Sequence, residues 1–169
     1  MLWLMKKTDL CWLLGWPFYQ LVGTARHELS HAVVAVLQGA QLTQIRILPS
    51  FDRDGFLWGY VTWIGGRTDI LVTAAPYVCD LALFLVFLPL CMAALRAPRW
   101  LWINALIIGV LSPFVDTAAN YSKFLLRDSG DVHELASHFS SLAVHLVFPA
   151  VLLFYLIGMV IGFTVRERR

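Results

Sequence analysis

Four long apolar runs separated by short polar intervals set the plan of this chain. They extend from about Leu10 to Leu37, Thr68 to Leu95, Trp100 to Val115 and Phe139 to Val165. A bilayer core of roughly 30 Å takes about 20 apolar residues per helix, so the runs predict about four transmembrane helices. Gly39 offers a stop for the first helix. Pro113, in Ser112-Pro113-Phe114-Val115-Asp116, predicts a kink at the end of the third, because proline frees backbone groups of the preceding turn. Asn120 to Asp131 mixes both charges with polar residues, which predicts a loop or a short surface helix.

The period changes between the first two runs. Ile45 and Ile47 alternate with Gln44 and Arg46, and Phe51-Asp52-Arg53-Asp54-Gly55 then gives a turn signal. Trp58-Gly59-Tyr60-Val61-Thr62-Trp63-Ile64 supplies β-branched and aromatic residues, so Leu42 to Gly66 predicts a β-hairpin at the membrane surface. The expected fold class is an all-α membrane protein of about four transmembrane helices, with a small membrane-surface β-hairpin after the first span. Residues 1–169 are expected to form a single integral-membrane domain, with no internal repeat.

Composition sharpens this picture. Of 169 residues, 59% are hydrophobic and 14% charged, and a mean hydropathy of +0.71 excludes an ordinary water-soluble domain. The formal net charge is only +2, and the basic residues sit at the ends of apolar runs, so nucleic acid is not an expected partner. Cys11, Cys79 and Cys91 lie in apolar stretches without close spacing and read as small buried residues. Met1 to Lys7 resembles the opening of a signal peptide, but the first run carries the chemistry and is expected to be retained. Lys6, Lys7, Arg96, Arg99 and the tail Arg166 to Arg169 fall on one side of a four-span layout, which favours cytoplasmic termini by a small margin.

The second half of the first run carries Arg26, His27, Glu28 and His31. A charged residue in mid-span costs roughly 2.5 to 3.5 kcal/mol on insertion scales, so such a group is by default a functional site. His27-Glu28-Leu29-Ser30-His31 has the H-E-x-x-H spacing. On a helix the two histidines stand about 40° apart, so both imidazoles can reach one metal ion. The expected cofactor is Zn2+, with His27 and His31 as metal ligands and Glu28 as the catalytic base for the attacking water. The alternative is a buried polar cluster in which Glu28 pairs with Arg26. His133-Glu134-Leu135-Ala136-Ser137-His138 has one residue too many, setting its histidines about 140° apart. His145 reads as a packing residue.

A catalytic zinc takes three protein ligands and water, so another group must approach. His27 lies about 26 Å into the first span and Asp116 about 24 Å into the parallel third span, at 1.5 Å per residue, so their levels match. Asp116 is therefore the expected third ligand. Asp80 falls nearer mid-bilayer, while Asp128 and Asp131 would reach the site only if the loop carrying them folded back.

These residues resemble the site-2 protease family of intramembrane zinc metalloproteases. The resemblance rests on the metal motif in the first span, the strand-like stretch containing Trp58-Gly59-Tyr60-Val61, and Asp116 behind a proline-containing segment. It departs from the family pattern after Asp116, where Thr117 replaces the usual glycine, and in lacking the family's asparagine. The family's arrangement implies a hairpin on the cytoplasmic side. It also implies endopeptidase cleavage of a membrane protein or peptide substrate by a multi-pass protein of the cell membrane, with the lipid bilayer as surroundings. A catalytically inactive membrane pseudoprotease, a metal-binding membrane protein and a zinc hydrolase of non-peptide substrates are the other readings.

Overall fold

The computed structural model describes residues 12, 14–52 and 55–167. The reading of Met1 to Lys7, the start of the first run at Leu10 and residues 168–169 of the basic tail lie outside the described residues, as do Arg53 and Asp54 of the hairpin turn. Helix α1 is Trp16–Leu37, with Pro17 in its first turn, where the missing N–H is no loss. Its buried residues are Tyr19, Gly23, Thr24, His27, Glu28, His31, Ala32 and Ala35, a stripe at helical spacing. Leu29, Val33, Val36 and Leu37 remain exposed on the other side. The polar cluster within this stripe keeps α1 from the apolarity of the other long helices.

The hairpin that follows is a two-level structure. Strand β1 (Gln41–Arg46) pairs antiparallel with β4 (Tyr60–Ile64), and β2 (Ser50–Asp52) pairs with β3 (Gly55–Leu57) at the tip. Its base is closed by a reciprocal clamp. Gln38 Nε2 donates to Asp69 Oδ1 at 2.6 Å, and the Asp69 backbone N–H donates to Gln38 Oε1 at 3.1 Å. Asp69 also caps the next helix by accepting from Leu71 N at 2.9 Å.

Helix α2 (Ile70–Ala93) carries Pro76 and Pro89, and its C-terminal end meets partners from two other helices. Trp102 Nε1 donates to the Cys91 carbonyl at 2.9 Å, and the Arg166 guanidinium donates to the carbonyls of Ala94, Leu95 and Ala97. The Cys91 carbonyl of the last turn and the carbonyls just past the helix end thereby gain side-chain donors.

The third span differs from expectation. It does not end near Val115: α3 (Arg99–Leu106) passes through a π-helical turn, Ile107–Leu111, into α4 (Ser112–Arg127). Pro113 sits in the first turn of α4, where its ring needs no hydrogen-bond partner upstream, and the bulged turn absorbs the distortion. The stretch from Asn120 is therefore helix as far as Arg127. Asp128 then takes φ 48° and Gly130 φ 89°, which reverses the chain into α5 (Asp131–His138). Helix α6 (Ser141–Glu167) closes the bundle.

Among the described residues, Ile70–Ala93, Arg99–Arg127 and Ser141–Arg166 are each long and apolar enough to cross a membrane, where about four spans were expected over the whole chain. Two larger cores hold them together, beside a smaller cluster of Ala35, Ala40 and Val72. Tyr19, Phe84, Trp102, Leu106, Tyr155 and Met159 fill one. Phe124, Val132, Leu135, Val144 and Phe148 fill the other, which presses α5 against α4 and α6. That second core fixes the position of Asp131 at the head of α5.

Candidate metal centre

His27 and His31, one turn apart on α1, have Nε2 atoms 3.3 Å from each other. Asp131 Oδ2 lies 3.0 Å from the first and 3.3 Å from the second. These three residues offer ligand atoms within 4.8 Å of one another, a group that could hold a metal ion. The opposite ring nitrogens explain why the Nε2 atoms converge. His31 Nδ1 lies 2.7 Å from the Val72 carbonyl oxygen, which can only accept, so that nitrogen carries the proton. His27 Nδ1 lies 2.8 Å from Asp116 Oδ2 and donates to it in the same way. Each Nε2 is left with its lone pair directed inward, toward the other and toward a carboxylate oxygen. Two neutral imidazoles and a carboxylate are the ligand types zinc takes in catalytic sites, so the donor set fits the ion.

Asp116 therefore approaches the site, as its depth along the helix predicts, but at the far nitrogen of His27. From there it can fix the orientation and tautomer of the His27 ring. Asn120 Nδ2 steadies it, at 3.1 Å from the Asp116 carbonyl and 3.4 Å from Oδ1. The residue that instead faces both Nε2 atoms, Asp131, reaches them because the chain folds back at Asp128 and Gly130. Asp128 itself is exposed and holds His133 Nδ1 at 2.8 Å. Asp80 is fully buried and lies 2.6 Å from Arg26 Nε, so Arg26 pairs with Asp80 and not with Glu28. His145 bonds the Tyr121 hydroxyl at 2.9 Å, and His133 and His138 are exposed, outside the ligand cluster.

Glu28 is buried beside the histidines and lines a cavity of about 620 Å³ with them. Trp58, Gly59, Tyr60, Val61 and Trp63 form one wall of this cavity, and Asp116, Asn120, Lys123 and Asp131 contribute to another. Glycine is what lets the hairpin come so near, since a Cβ on Gly59 would stand 2.6 Å from Thr24 Cγ2 on α1. The site thus joins a metal-type donor set, a carboxylate and a strand edge around one space.

A family model for Peptidase M50B-like proteins matches residues 3–121, more than half of the chain. The chain belongs to this family. Neither the curated proteins nor the solved structures yield a match. Membership of this peptidase family, with three helices able to cross a bilayer among the described residues, makes the protein an integral multi-pass membrane protein of the metalloprotease type. The matched stretch contains His27, Glu28, His31 and Asp116, while Asp131 lies ten residues beyond it.

Proposed function

We propose that this M50B-like protein is an intramembrane zinc endopeptidase that hydrolyses a peptide bond of a membrane protein substrate. The observation that carries the reading is the convergence of both Nε2 atoms on Asp131 Oδ2, with each Nδ1 committed elsewhere. In this proposal His27, His31 and Asp131 hold the ion, and Asp116, the ligand expected from the sequence, stands behind His27. Zinc, when bound, supplies Lewis acidity toward the scissile carbonyl and the attacking water.

The remaining work falls to the chain. Glu28 takes a proton from the water as its oxygen bonds to the carbonyl carbon, and delivers that proton to the amide nitrogen as the C–N bond breaks. Strand β4 pairs only with β1 among the described residues, so its other edge is open to an unwound substrate added as a further strand. A helix must lose its internal hydrogen bonds to be cut, and a strand edge replaces them where water is scarce.

The test is Glu28→Gln in the purified full chain, assayed on a membrane substrate in proteoliposomes. Cleavage should vanish while near-stoichiometric zinc remains, and zinc should be lost on His27→Ala. Full proteolysis by the Glu28→Gln protein would refute the mechanism.

A further inference from the structure

The cavity wall supplied by α4 carries more charge than the proposed chemistry uses. Asp116, Asn120, Lys123 and Arg127 recur at intervals of three and four residues, so they share one face of that helix, and all four line the cavity. Asp116 marks the level of the donor set, since it meets His27 Nδ1 at 2.8 Å, and Asn120 bonds Asp116. Lys123 and Arg127 have no partner of that kind. Both are exposed, and among the described residues neither makes an ion pair or a side-chain hydrogen bond. Arg127 lies in the last turn of α4, where a cation suits the negative end of the helix dipole. Lys123, one turn earlier, has no such reason to be there.

The lysine also has a defined place. Its stem lies across the turn at Gly130, where a Cβ would stand 3.4 Å from both Lys123 Cδ and Nζ. Gly130 directly precedes Asp131, whose Oδ2 faces both imidazoles. The ammonium therefore sits over the residue before the candidate ligand and outside the donor set. Glu28, Asp116 and Asp131 answer to the ion, to His27 and to the attacking water. The other charged groups lining the cavity are Lys123, Arg127 and Glu134, two cations against one carboxylate. Seven residues of helix put Lys123 about 10 Å along the axis from Asp116, a distance that an extended peptide covers in about three residues.

We propose that Lys123 is a specificity-determining residue: its ammonium pairs with an aspartate or glutamate of the substrate about three residues from the bond that is cut, and Arg127 extends the same positive lane. The inference rests on the endopeptidase reading and deepens it by naming the substrate class, a peptide with an acidic residue close to its cleavage site. A phospholipid headgroup is the rival anion, because Lys123 lies near the end of a helix long enough to span the bilayer. A lysine serving headgroups would extend away from the site, whereas this stem folds over Gly130 beside Asp131.

The experiment uses the full chain in nanodiscs of phosphatidylcholine. The probes are fluorescent peptides of alanine and leucine that carry a single Glu, Gln or Lys at each position in turn. Their binding to the Glu28→Gln protein is read by anisotropy against protein-free discs. At one position or two adjacent ones, the Glu peptide should bind about 3- to 10-fold more tightly than the Gln peptide, and the Lys peptide more weakly than either. Lys123→Gln should flatten this order and Lys123→Glu should invert it, with zinc content unchanged. Added salt should erode the wild-type preference, since an exposed pair is screened.

Equal binding of the three peptides at every position, or an order that survives Lys123→Glu, overturns the proposal. So does a Lys123 effect that appears only in discs containing phosphatidylglycerol, which would assign the ammonium to headgroups. Turnover of the same peptides by protein with its native Glu28 separates this inference from the reading beneath it. Cleavage indifferent to peptide charge sinks the inference alone, whereas charge-selective binding without cleavage of any peptide sinks the endopeptidase reading and leaves Lys123 as the anchor of an acidic peptide.

Discussion

Gly59 meets Thr24 through bare backbone: a Cβ on the glycine would lie 2.6 Å from Thr24 Cγ2, and 3.2 Å from Glu28 Cγ. Gly59→Ala must therefore push the strand edge away from the Glu28 carboxylate. Misplacement by about 1 Å can cost on the order of 100-fold in rate, so cleavage should fall by about that factor. Zinc content should be unchanged, because the hairpin supplies no ligand. Kinetics beside metal analysis of the same preparation would check this, and unimpaired cleavage would show that the hairpin does not hold substrate.

Asp131 and Asp116 should separate by their effect on metal. Asp131→Ala removes the proposed ligand and should weaken zinc binding by more than about 100-fold, while Asp116→Asn disturbs only the orientation of His27 and should cost about 10- to 100-fold. Chelator competition on both variants decides the order. A greater loss in the Asp116 variant would exchange the two roles.

Gly109 sits in the π-helical turn, and a Cβ there would lie 2.1 Å from Phe87 Cγ. Close helix approach through small residues is a main source of cohesion in a bilayer. Gly109→Ala should destabilise the bundle by about 1–3 kcal/mol through overpacking. Thermal unfolding in detergent measures it, and an unchanged midpoint would mean that Phe87 yields without cost.

The clamp at Asp69 predicts a pH dependence. Hydrogen bonds from the Gln38 side chain and the Leu71 backbone hold its carboxyl below the usual carboxylate range. A depressed folded-state value gives stability that is present above the unfolded value of about 3.9 and lost as pH falls through the folded one. Asp69→Ala should therefore lower the melting temperature near neutral pH, and the gap to wild type should close under strong acid. A gap independent of pH would leave only the loss of packing.

The legible parts of this protein were those set by local spacing. His27 and His31 are one turn apart in any helix, and a constant rise per residue brings Asp116 to their level, which the 2.8 Å contact with His27 reflects. The alternation around Ile45 and the turn signal after Phe51 announced paired strands, and β1 and β4 are those strands. What stayed hidden depended on events between distant segments. Asp131 meets the histidines only because Asp128 and Gly130 adopt positive φ, which for an aspartate no residue pattern foretells. Asp80 is one carboxylate in an apolar run, and nothing in its surroundings along the chain names Arg26 as its partner. The signal that could have found the pair was the cost of leaving either charge alone in a span.

The bulged turn at Ile107–Leu111 works as a phase shifter in the third span. A π turn takes up extra backbone and advances every later side chain around the axis relative to an unbroken α-helix. Upstream, Trp102 and Leu106 point into the apolar centre of the bundle; downstream, Asp116 points to His27 and Asn120 bonds Asp116. Excising one residue there would rewind the rod by roughly 100°, swinging both polar groups off their target while leaving the apolar character of the span intact.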